Sequence, residues 1–206
     1  MNSANLRLSE EERQLISSVD WILTKNRLMG WTKDKLAELQ QLQLGVLQDL
    51  RMHLPAEVLA IPPKISRGEN YEGLPWLMLD LPRFFTTTDQ MAIRSFFWWG
   101  HGFSTTLQLA GVYQAYFRPA LLQAFEKLKD EGWLYCMNSD PWQHHFRPDN
   151  YRSLSKLDSH GWEKHLHTHP FLKLARQTGM DAWEQVPELL SEQYRYLLNV
   201  LCGNAD

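Results

Sequence analysis

Between positions 90 and 117 the chain carries a single charge, Arg94. A stretch so poor in charge is buried when the chain folds, so it fixes where the core must form. It does not suit lipid, because Gly100, His101, Gly102, Ser104, Thr105, Thr106 and Gln108 interrupt it. Its texture is that of strands. Phe103, Thr105, Leu107 and Leu109 alternate with Ser104, Thr106, Gln108 and Ala110, and two glycines punctuate the junction with 92–100. That pattern predicts a β-hairpin with His101 at its tip. A short helix within 87–97, capped by Thr87 or Thr88, is the competing reading. The apolar run 74–82, closed by Pro82, reads as a strand covered on both faces, and 133–137 as one more.

Helices flank this sheet. Ser9 followed by Glu12 forms a capping box, and Leu15, Ile16, Val19, Ile22 and Leu23 then recur at helical spacing. Gly30 reads as a stop and Thr32 as the cap of a second helix, whose Leu36, Leu39, Val46, Leu47, Leu50 and Leu54 run to Pro55. The expectation is an antiparallel helical hairpin over 9–54. Pro119 suits the first residue of a third helix ended by Gly132, and helices over about 161–177 and 185–202 close the chain. The fold class expected is α+β. A single domain spans 1–206, its helical hairpin packed on the sheet-containing part, 61–206.

Charge removes whole classes of partner. Lys and Arg number 21 against 24 Asp and Glu, a formal net charge of −3, spread evenly along the chain. No segment carries the basic stripe that a phosphate backbone requires, so nucleic acid is not an expected partner. The start, MNSANLRLSEEERQ, lacks the apolar core of a secretory signal. Cytoplasmic residence without membrane attachment follows by elimination. Cys136 and Cys202 stand outside any CxxC spacing and read as reduced, packed thiols. Nucleotide and serine-hydrolase signatures of the GxGxxG, P-loop and GxSxG kinds do not occur.

Histidine is the sharpest chemical signal. Six of the eight histidines fall between His144 and His169. His165 and His169 have the i, i+4 spacing of helical metal ligands, but Pro170 pulls His169 out of helical geometry. The loop carrying Asp140, Trp142, His144 and His145 is the stronger candidate. There a carboxylate fixes an imidazole tautomer, and His144 or His145 serves as general base or as ligand for a divalent transition metal. The competing reading makes Asp140 the closure of a turn, with one histidine packed and the other exposed. Arg94 and Asp80 interrupt apolar strands, and each needs a partner or a cavity. A pocket for an anionic small molecule would use Arg94, with Trp76, Trp142, Tyr71 and His101 along its wall.

Two functions follow. The first is a small-molecule or metal-binding protein with an aromatic-lined pocket; whether it is an enzyme stays open. The second is a non-catalytic interaction or assembly protein that uses the N-terminal helices as a partner surface, as in a homo-oligomer. A closed pocket with converging histidines favours the first. A bare apolar patch on the N-terminal helices favours the second.

Overall fold

The computed structural model describes residues 7–203. At its centre lies one seven-stranded antiparallel sheet: β1 (Lys64–Tyr71), β2 (Leu74–Phe85), β3 (Gln90–Trp98), β4 (Gly102–Ala110), β5 (Leu134–Cys136), β6 (Tyr151–Ser153) and β7 (Phe171–Thr178), in spatial order β1-β2-β3-β4-β7-β5-β6. The hairpin expected around His101 forms, with Trp98 opposite Gly102. A two-residue turn, Glu72-Gly73, joins β1 to β2, both residues having positive φ, the conformation that a tight hairpin turn requires. Pro82 sits where the β2–β3 register slips, between Asp80 and Arg83, as a residue without an N–H must.

Seven α-helices occur among the described residues: α1 (Glu10–Ser17), α2 (Val19–Leu50), α3 (Ala56–Leu59), α4 (Val112–Gln123), α5 (Phe125–Asp130), α6 (Ser159–Thr168) and α7 (Val186–Cys202). The fold is α+β, as its sequence pattern predicts. No helix among the described residues is long and apolar enough to cross a membrane.

Three expectations about elements are corrected. There is no helical hairpin over 9–54: α2 passes straight through Gly30 and Trp31 for 32 residues, about 48 Å at 1.5 Å per residue. The reason is tertiary. Met29, Thr32, Leu36, Leu39, Gln43, Val46 and Leu50 form one continuous buried stripe, and covering the sheet with it outweighs the roughly 1 kcal/mol cost of an internal glycine. Thr32 caps nothing and returns its hydroxyl to Leu28 O at 2.8 Å. Pro119 is interior to α4, which begins earlier, after Gly111, where the Val112 N–H is held by Asp89 Oδ1 at 2.9 Å. The segment 161–177 is no single helix. Pro170 ends α6, and 171–178 becomes β7, the strand that joins β4 to β5.

Strand alternation divides the sheet into two faces. Leu79, Met91, Ile93, Phe97, Phe103, Leu107, Leu172 and Leu174 point to one, under α2, α4 and α7. Gln43 of α2 crosses that layer to donate to Ser95 Oγ at 3.1 Å. Asp80, Arg94, Phe96, Trp98, Gln108 and Lys173 point to the other, which is covered by the 137–150 loop.

Candidate functional site

The loop-covered face gathers most of the side chains expected to carry chemistry. Arg94 Nε lies 3.0 Å from Asp80 Oδ1, and Arg94 Nη1 donates to Gln108 Oε1 at 3.3 Å. Its guanidinium lies against the rings of Phe85 and Trp142, 4.7 and 4.9 Å from their centroids. Burial pushes the Asp80 carboxyl up and the Arg94 guanidinium down, and each partner's charge opposes the other's shift.

Lys173 is fully buried and faces the same layer. Its ammonium donates to Gln143 O at 2.6 Å and Pro141 O at 3.0 Å, above the ring of Tyr151. Burial pushes its pKa down to about 8. Asn150 donates to His145 O at 2.6 Å and accepts from Cys136 Sγ at 3.3 Å. The phenol oxygen of Tyr71 accepts the His144 N–H at 2.7 Å and the His145 N–H at 3.2 Å. Arg147 clamps Glu72 with two bonds, of 2.6 and 2.7 Å. Lys173 and Tyr71 hold the loop from the sheet, Arg147 ties it to Glu72 in the β1–β2 turn, and Asn150 braces it internally.

The expected site residues fall into place around this loop. His144 packs on Phe96 and Tyr71, with ring centroids 5.0 and 5.6 Å apart. Burial, then the nearby Lys173 and Arg94 cations, hold its pKa well below the usual histidine value, so it is neutral. His145 is buried, and its Nδ1 has no hydrogen-bond partner. Asp140 spends both carboxylate oxygens inside its own turn, Oδ1 on the Trp142 N–H and Oδ2 on the Gln143 amide, each at 2.9 Å. Those two bonds pull its pKa down. His101 stacks on Trp98 at 3.6 Å, and Trp76 packs beside Phe96.

The space left among these groups is small. A slot bounded by Phe96, Trp98, His101, Ser104, His144 and Phe146 has a volume of about 10 Å³, room for about one water molecule. Among the described residues, no group of three or more His, Cys, Asp or Glu side chains is arranged to hold a metal ion. His165 and His169 do stack, at 4.7 Å, and burial lowers His165 to about 4. A wider cleft of about 600 Å³ opens elsewhere, near Met52, Glu57, Tyr116 and Cys202. Its wall carries the bond from the Tyr113 hydroxyl to Glu57 Oε1, at 3.0 Å.

The N-terminal helices are organised in the opposite way. The capping box forms as expected: the Glu12 N–H donates to Ser9 Oγ at 3.1 Å and the Ser9 N–H to Glu12 Oε2 at 2.7 Å. Yet nothing in α1 is buried. Ser18, in extended conformation, separates α1 from α2. The helix meets the sheet margin where Lys25 donates to Glu69 of β1. Before that point its apolar side chains have no cover. Leu15, Ile16, Val19, Trp21, Ile22 and Leu23, with Trp31 further along, expose between 50% and 71% of their surfaces.

Comparison with known proteins finds no matching family model, no curated relative and no solved structure of similar fold.

Proposed function

We propose that this is a non-catalytic interaction protein and that its N-terminal arm, α1 with the first turns of α2, is the docking element. One observation carries the reading. The exposed Val19, Ile22 and Leu23 lie at i, i+3 and i+4 on the first turns of α2, and Leu15 and Ile16 of α1 add to them, where no sheet lies beneath. Val19, Ile22 and Leu23, with Leu15 and Ile16 of α1, expose on the order of 500 Å² of apolar surface, above what a monomer ordinarily leaves bare. Exposed apolar surface of this size on one helix face marks an interaction site. The loop-covered face supports the same conclusion from the other side, because its charged groups are committed to holding the loop and leave almost no space.

The test is a photo-crosslinking residue placed at Trp21 of the full-length chain in the cells that make it. A matched control replaces Glu163, which is exposed on α6. Covalent protein adducts from position 21, absent from 163, are expected. Equal background labelling at both positions would remove the arm as a docking element.

A further inference from the structure

The arm's own pattern says what covers it. We infer that its occupant is the arm of a second copy of this chain, packed antiparallel across a twofold axis beside Val19. This rests on the reading of the arm as a docking element and gives that element its partner.

The apolar positions are symmetric about Val19. An antiparallel pairing that sets residue 19 against its own copy sets Leu15 against Leu23 and Ile16 against Ile22, in both directions at once. A twofold interface needs this property, since the same patch must be complementary to itself. All five residues are exposed in the single chain.

Charge follows the same symmetry. The arm begins with Glu10, Glu11 and Glu12, and its other end carries Lys25 and Arg27. Antiparallel packing brings the acidic start of each copy to the basic end of the other, Glu11 opposite Arg27. Parallel packing would set acid on acid and base on base. One like-charged pair, Arg13 with Lys25, comes near in the antiparallel register. Both side chains already have acidic partners, Arg13 with Glu10 at 4.0 Å and Lys25 with Glu69.

Ser18, the extended residue between α1 and α2, lies next to the proposed axis. The sheet is attached to α2 from Met29 onward, outside the paired segment 15–23. The edge strand β1 is a poorer self-association surface. Lys64, Arg67 and Glu69 charge it, and its register breaks between Gly68 and Tyr71, both of which discourage edge-to-edge pairing.

Sedimentation equilibrium on the full-length chain at micromolar concentrations tests the inference. A dimer is expected. Leu15→Ser with Leu23→Ser is expected to give monomers whose helix content and melting transition match those of the wild-type chain at dilution, since neither side chain is buried. Orientation is tested by charge. Glu11→Arg is expected to weaken dimerisation about tenfold, two symmetry-related exposed pairs each contributing a few-fold, and adding Arg27→Glu is expected to restore it. A dimer indifferent to both leucine substitutions, or a double charge swap that fails to restore it, overturns the inference. A chain that stays monomeric while position 21 crosslinks to a different protein also overturns it, and leaves the docking role of the arm standing.

Discussion

The loop-covered face of the sheet and the N-terminal arm invert the usual distribution of side chains. The first buries Arg94, Lys173 and Asp80 under a loop; the second leaves Leu15, Ile16, Val19, Ile22 and Leu23 in water. In the first, every charge has a local use: Arg94 against Asp80, Lys173 on two loop carbonyls. In the second, the apolar groups have no use within the chain. Buried polar clusters and exposed apolar strips are both departures from the norm, and here they mean different things. The polar cluster holds the fold together. The apolar strip is bare within the single chain, and its proposed docking role rests on that.

The largest expected effect lies in the buried pair. Arg94→Leu strands the Asp80 carboxylate beneath the loop and should cost about 3–5 kcal/mol of stability in urea unfolding, as for other broken buried pairs. A loss below about 0.5 kcal/mol would mean that the cluster does not support the fold, and the contrast between the regions would collapse.

Next comes a pair of identical changes on one helix. Leu36→Ala, at a fully buried position, should cost about 2–5 kcal/mol. Leu23→Ala, two-fifths of the helix away and exposed, should change the stability of the dilute chain by less than about 0.5 kcal/mol. Similar losses at both would mean that the arm packs on its own chain.

Acid should also separate the regions, by a smaller and graded amount. Burial lowers the pKa of His144 and takes that of His165 to about 4. The unfolded chain then takes protons, at a pKa near 6.5, that the folded chain declines. Stability is therefore complete above about pH 6.5 and falls as pH drops toward the folded values. Residues 7–31 contain no histidine, so this loss belongs to the folded body and not to the arm. A melting temperature unchanged between pH 7 and pH 5 would contradict it.

The smallest effect is a gain. Gly30→Ala should stabilise by about 0.5–1 kcal/mol, because Gly30 is helical and an added Cβ meets nothing within 4 Å. Destabilisation would restore the turn that the sequence suggests at this point.

How far the fold is legible in the sequence varies by element. Strands with strict alternation, such as 103–109, and the capping box at Ser9 and Glu12 can be read directly, because their signals are local. Gly30 and Pro119 mislead, because a glycine or proline is read locally while the sheet decides whether the helix continues. β7 is missed for a related reason. Phe171, Leu172 and Leu174 suit either period, and only pairing with β4 and β5 makes Lys173 an inward, buried cation. Of the residues expected along the site, Arg94 touches Trp142 and Tyr71 touches His144. What the sequence conceals is the use of their polar atoms, since backbone N–H and C=O groups take up most of the bonding capacity that a ligand would need. The arm is legible as an apolar helix, but its exposure is not, because periodicity shows a face and not what lies against it.

Amide hydrogen exchange along α1 and α2 of the full-length chain, followed across protein concentration, is the most direct measurement of whether the bare strip is covered in solution. Beyond Met29 the backbone should be protected at every concentration, since the sheet covers it. Over 10–24, protection should rise with concentration, and the rise should vanish in the Leu15→Ser, Leu23→Ser chain. Fast exchange over 10–24 at every concentration, alike in both chains, would contradict the account: the arm would then be uncovered by any second copy.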